Sequence, residues 1–225
     1  RAALMAGSGN TITNSNNAFI GSGEINLIDK SNDASIVGGF RNIVTASTYS
    51  IVGGGLDNKV IHSVAGVIDG GVYNSVINSN RTIIGAGLLN ITTNSDDSLI
   101  GSGIRNEIVD SPQTSIVGGT DNFVSGGTNN LIGGGRDNKA LGLNSHYTSI
   151  VGGRLNFVSG GTNNLIGGGG NNKITEHSTY TSISSGKDNI IKDNDYSSIV
   201  GGEGNLITTG GTHNIVGGGS INHIT

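Results

Sequence analysis

Cysteine and tryptophan are absent from this chain, proline occurs once, and aromatic residues make up 4% of it. Without cysteine there is no disulfide and no thiolate chemistry, a composition compatible with an extracellular life. With so few bulky side chains an ordinary globular core is excluded. Charge is scarce as well: 12% of residues are charged and the net is −4, which supplies no basic field for nucleic acid. No run of about 18 apolar residues occurs, so no membrane insertion is expected in this segment. The chain opens at Arg1 without an initiator Met or a secretory segment and closes part way through a repeat. Both ends lack the polar cap usual for repeat arrays, which predicts an excerpt of a longer fibre or a unit that stacks end to end.

What abounds is glycine, 41 of 225 residues. With one proline and no three-residue period this is not collagen, and regularly placed aliphatics argue against simple disorder. The glycines belong to a repeat, seen in residues 35–52 (SIVGGFRNIVTASTYSIV) and rewritten along the whole chain. Its marker is an asparagine at Asn10, Asn26, Asn42, Asn58, Asn74, Asn90, Asn106, Asn122, Asn138, Asn156, Asn172, Asn189, Asn205 and Asn222. The step is 16 residues, apart from one step of 18 and two of 17. A fixed period in this range means stacked repeats.

With each Asn numbered zero, position −3 is always Gly, position −6 is always aliphatic, and position +2 is Ile or Val except at Thr92 and Ala140. Each repeat therefore reads as one coil of two short β-branched strands, joined by a glycine turn on one side and a polar Ser/Thr/Asn/Asp turn on the other. A helix would carry Gly-Gly in every repeat at about 2 kcal/mol a time. The fold expected is all-β, a parallel β-solenoid or β-roll of about fourteen coils forming a single repeat domain over residues 1–225. At about 4.8 Å per coil the rod is on the order of 65 Å long.

Two aliphatics per coil make a thin core, so hydrogen-bonded ladders must contribute. The invariant Asn fits one: stacked in register, as at Asn42, Asn58, Asn74, Asn90, Asn106, Asn122, Asn138, Asn156 and Asn172, each amide donates to the next and satisfies a backbone group left open by the turn. The alternative account, that Asn merely tolerates a left-handed turn, predicts frequent Asp or Gly at position zero, and neither occurs.

Positions −7 and −5 flank the buried −6 residue and face away from the core. They are complementary: where −7 is Ile or Leu, −5 is Gly, and where −7 is Ser, −5 is Val, except in the coil of Ser182 and Ser184, which places no aliphatic there. The resulting outward stripe contains Val37, Ile51, Ile83, Leu99, Val117, Leu131, Val151, Leu165, Val200 and Ile215. A strand apolar on both faces is buried on both. This predicts a homo-oligomer, with a trimer favoured, whose −6 strands surround a common axis. Positions +1 and +3 mix Lys59, Glu107, Lys139 and Lys173 with Leu27, Phe123 and Phe157, the character of an outer, solvated sheet.

Catalysis finds no support. The five histidines occupy different repeat positions and never the spacing of a metal motif. Asp57, Asp121, Asp137 and Asp188 share position −1, but most coils lack an acid there, which weakens a calcium β-roll. The Gly-Gly turns precede no helix and no phosphate-binding Lys. No cofactor and no metal are expected. An ice-binding face is interrupted at Asp29, Ile61, Ile77, Leu141 and Lys192 among the +3 threonines. Irregular segments at 141–148 and 176–181 read as bulges, which makes Asn144, His146, Tyr147, His177 and Tyr180 the candidate ligand contacts.

The S-I-V-G-G-x-x-N-x-I/V coils at 35–44, 115–124, 149–158 and 198–207 resemble the head repeats of trimeric autotransporter adhesins and similar trimeric fibres of phages and viruses. The resemblance covers essentially the whole chain, although the family's coils are a little shorter and richer in Ala. It implies three parallel β-rolls packed around one axis, an extracellular, cell-surface or virion location, and adhesion to a host surface protein or glycan. A self-stacking structural filament is the alternative.

Overall fold

The computed structural model describes residues 2–208 and 211–225. It is a parallel β-solenoid with one coil per asparagine and no helix among the described residues. Two compact units, Arg1–Gln113 and Thr114–Thr225, divide it. Each unit holds two parallel sheets of seven strands among the described residues. One sheet is built from two-residue strands at −7 and −6, such as Ser35–Ile36 and Leu131–Ile132. The other is built mostly from three-residue strands at +1 to +3, such as Ile43–Thr45 and Phe157–Ser159.

Local backbone geometry explains why the repeat tolerates some substitutions and not others. Most turns carry two left-handed residues, and the polar turns with Gly126-Gly127 and Gly160-Gly161 carry three. In the coil of Asn42 the pairs are Gly39 (φ 93) and Arg41 (φ 55) on the glycine side, and Ala46 (φ 49) and Tyr49 (φ 57) on the polar side. Only the first demands glycine. Its φ lies beyond the usual left-handed well, and a Cβ on Gly39 would sit 2.3 Å from the Gly55 carbonyl oxygen. The others stay near the well that L residues enter at a cost of roughly 1–2 kcal/mol. Backbone bonds to the preceding coil offset that cost: the N–H groups of Arg41, Ala46 and Tyr49 donate to Glu24, Asp29 and Asn32 at 3.0, 2.9 and 3.0 Å.

Inside the coil the aliphatics stack on themselves. Ile36, Val52 and Ile68 are in register in the first unit, and Ile116, Ile132 and Ile150 in the second. All are fully buried, as are the facing +2 residues Val44, Val60, Val124 and Val158. Small residues such as Ala34, Ser50 and Thr82 fill the corner at +8. The 18-residue step leaves this register intact, because Ala140 still pairs with Val158. Its extra residues emerge at 142–144, which are exposed.

Candidate functional site

The asparagines form a continuous ladder within each unit. The side-chain Oδ1 of Asn26 accepts the backbone N–H of Asn42 at 3.0 Å, and the Nδ2 of Asn42 donates back to it at 3.2 Å. The same Nδ2 donates to the carbonyls of Gly38 in its own coil and Gly55 in the next, both at 3.0 Å. The part repeated from coil to coil within each unit is the main-chain bond: Asn58, Asn74 and Asn90 each donate N–H to the preceding Oδ1 at 2.9 to 3.0 Å. Amide-to-amide donation is present at Asn74 and Asn138. Asn156, reached through the 18-residue step, keeps its N–H bond to Asn138 at 3.0 Å. Asp at position zero would lose the Nδ2 donor, and Gly would lose everything.

A second ladder runs through the polar corner. The +5 serines of the first unit from Ser31 to Ser111 are buried, and Oγ groups along this row accept the next coil's N–H: the N–H of Ser47 donates to Ser31 at 3.0 Å, Ser63 to Ser47 at 3.1 Å, Ser79 to Ser63 at 3.1 Å, Ser95 to Ser79 at 3.0 Å. Serine at +5 in seven successive coils, from Ser15 to Ser111, was the sequence signal for it. In the second unit, coils with Gly127 and Gly161 at this position place Asn130 and Asn164 at +8 instead. Those amides take over the bonds, with Asn164 Nδ2 donating to Ser178 O at 2.7 Å and Asn130 Oδ1 accepting Thr148 N–H at 3.0 Å.

Every stripe residue from Val37 to Ile215 is solvent-exposed in the single chain, from 37% at Leu99 and Leu131 to 69% at Ile215. In the first unit Ile51, Val67, Ile83 and Leu99 lie side by side. In the second, Leu131 lies between Ser115 and Ser149, with Val117 and Val151 supplying the apolar surface in those coils. Part of the −7/−5 rule arises within the chain: a Cβ on Gly53, Gly85 or Gly167 would come within 2.3 Å of the next coil's carbonyl oxygen.

The loop candidates divide. Asn144 and His177 are exposed. His146 is part of the stack: its Nδ1 accepts the Thr128 N–H at 3.0 Å, as Asn80 and Asp96 do for the coils before them. Tyr147 and Tyr180 are exposed at the same polar corner but two coils apart, with Asn163 in the coil between them, as the backbone bonds from Asn163 to His146 and from Tyr180 to Thr162 establish. Tyr180 stacks on Tyr196, and Tyr196 on His213, with ring centroids 5.1 Å apart and planes within 7°. Tyr196 and His213 belong to this feature although the repeat numbering gives no hint of them.

Charged groups line the exterior. Arg81 grips Asp97 through two bonds of 2.6 and 2.7 Å, holding that carboxyl below its ordinary pKa. Asp188 is lowered chiefly by the Asn171 amide and then by Lys187. Among the described residues no group of three or more His, Cys, Asp or Glu is placed to hold a metal ion.

No family model matches the chain, and no curated protein does. Among solved structures the polySia specific acetyltransferase NeuO aligns at 17% identity, over 92% of this chain and 70% of that one, with a TM-score of 0.12. A superposition this poor carries no weight for fold or function.

Proposed function

We propose that this solenoid is a rigid, non-enzymatic segment of an extracellular surface fibre. It assembles as a homotrimer through the −7/−5 face and presents its outer sheet and corners for adhesion. The observation that supports this reading is the exposed apolar stripe. Ile51, Val67, Ile83 and Leu99 lie next to one another on a strand whose other face is already core. A stripe that continues from coil to coil is larger than the scattered apolar residues of an ordinary monomer surface. Its periodicity matches a partner of the same periodicity, for which another copy of this chain is the simplest source. The Asn ladder of each unit and the Ser ladder of the first suit a load-bearing spacer, since they tie coil to coil within the unit by side-chain bonds.

Light scattering on the purified chain, repeated on dilution, tests this. The expected result is a mass of three chains that does not change with concentration. Ile83→Lys and Leu165→Lys should each reduce that mass to one chain. A compact monomer in the wild type sinks the assembly, and the stripe then needs another role.

A further inference from the structure

A pocket on the outer sheet of the second unit combines an aromatic ring with cations on either side. Along that sheet the +1 residues run Phe123, Lys139, Phe157, Lys173 in direct register. Phe157 and the half-exposed Leu155 form the floor of a hollow of about 330 Å³, with Lys139 and Lys173 one coil to either side. A neighbouring hollow shares Leu155 and adds Arg154. The acids at the rim are already engaged: Asp137 pairs with Arg136 at 3.5 Å, and Asp188 with Lys187 at 3.4 Å and with the Asn171 amide at 2.7 Å. Lys139, Arg154 and Lys173 make no direct ion pair among the described residues, although the Lys173 charge reaches Asp188 at longer range. The equivalent place in the first unit carries Leu27, Ile43 and Lys59, without an aromatic, and its Arg41 is spent on Asp57.

The geometry points to a binding site for an acidic polysaccharide of the uronic-acid type. An apolar ring flanked by free ammonium groups suits a sugar whose CH face stacks on Phe157 while carboxylates meet the lysines. Lys139 and Lys173 are two coil steps apart, about 9.6 Å, so a polymer with carboxylates at intervals along its length engages both. A peptide is disfavoured, because the strand Phe157–Ser159 is paired on both sides and offers no edge for strand addition. Three cations without a direct ion pair, on a chain of net charge −4, do not make a nucleic-acid track. The site lies on the sheet opposite the −7/−5 face, so assembly through that face leaves it open.

The inference rests on the adhesive reading and names its ligand class. The test is calorimetric titration of the full chain, at about 50 mM salt so that charge contacts are not screened away. The probe is a hexasaccharide of alternating glucuronate and N-acetylglucosamine, with maltohexaose and hexaglutamate as comparators. The acidic sugar is expected to bind and both comparators to fail. Phe157→Ala and the pair Lys139→Gln/Lys173→Gln should each weaken binding by about tenfold, while Lys59→Gln changes nothing. Phe157→Leu, which keeps bulk but not the aromatic face, should weaken it too, with an unchanged melting curve. No binding of the acidic hexasaccharide overturns the site, as does equal binding of hexaglutamate or equal loss in Lys59→Gln. A monomer that binds the sugar removes the trimer and keeps this site; a trimer that does not bind it removes the site alone.

Discussion

The two corners of the coil solve the same problem with different freedom. At the glycine turn position zero is asparagine in all fourteen coils, and within each unit its Oδ1 accepts the next coil's N–H. At the polar turn the acceptor is Ser in the first unit, whereas the second unit alternates it with a Gly at +5 and an Asn at +8. The difference lies in what stands nearby. At position zero one amide serves the next N–H, its own −4 carbonyl and the next coil's −3 carbonyl, and no neighbouring position is placed to replace it. At the polar turn, +5 and +8 both point inward, so the acceptor moves between them if the volume moves with it. The exchange is imperfect: of the three buried side-chain polar atoms without a partner among the described residues, Thr148 Oγ1 and Asn194 Nδ2 lie in the second unit's polar corner.

Breaking the fixed corner should have the largest effect. Asn74→Ala leaves the Asn90 N–H and the Gly70 carbonyl without their side-chain partner and removes bonds to Gly87 and Asn58. With several buried groups affected, the expected loss is about 3–5 kcal/mol in urea unfolding. A loss under about 1 kcal/mol would mean that the ladder is incidental to stability.

The exchangeable corner can be tested by moving the second unit's solution into the first. Ser95 and Ser98 sit between coils carrying Thr82 and Thr114 at +8, the same setting in which Asn130 lies between Thr114 and Thr148. Ser95→Gly alone removes the acceptor for Ser111 N–H, at an expected 1–2 kcal/mol. Ser98→Asn alone overpacks the corner by about 1–3 kcal/mol. The double variant should recover most of both losses, a coupling of roughly 1–3 kcal/mol in a double-mutant cycle. Additive losses would show that the second unit's corner depends on its whole Ser-Gly-Gly-Thr-Asn-Asn context.

These corners also mark where the sequence was readable. The 16-residue period, the aliphatics at −6 and +2 and the Asn at zero report on buried positions with one acceptable occupant, so the repeat and the solenoid followed directly. The Ser ladder was written as plainly, from Ser15 to Ser111, but its replacement by Gly127 with Asn130 looks like ordinary turn chemistry until both are seen to share one space. The left-handed residues at −1, +4 and +7 were illegible for the opposite reason: they accept Arg, Asp, Tyr, Leu or Ile, so no pattern accumulates. Tyr180, Tyr196 and His213 were hidden by register. An extra residue in two of their coils shifts them to +8, +7 and +8, and only the observed backbone pairing brings the rings together.

Thr92 sharpens the comparison from the other side, because it is a polar side chain inside the coil with no ladder to join. It stacks between Val76 and Ile108, and its Oγ1 has no partner. Thr92→Val keeps the shape and removes the stranded hydroxyl, so stability should rise by about 1 kcal/mol, read as a higher urea midpoint at constant slope. A loss would mean that the hydroxyl is satisfied in solution.

The smallest effect is expected where a side-chain bond between coils lies in water. Arg81 and Asp97 occupy the left-handed +7 position of successive coils and are joined by two bonds, with side chains 61% and 41% exposed. The bond from Arg81 lowers the Asp97 pKa from its ordinary 3.8. A carboxyl lowered on folding contributes stability that is fully present above its unfolded pKa and is lost as pH falls through the folded value. The wild-type advantage over Asp97→Asn should therefore be constant from neutral pH to about pH 4 and vanish below it. Exposure and solvent screening keep that advantage small, and about 1 M salt should erase it at neutral pH. The Asn74 and Ser95 losses should survive the same salt, because their bonds are buried and uncharged. If salt reduced all three alike, the ladders would owe their strength to surface electrostatics and the contrast between buried and exposed bonds would fail.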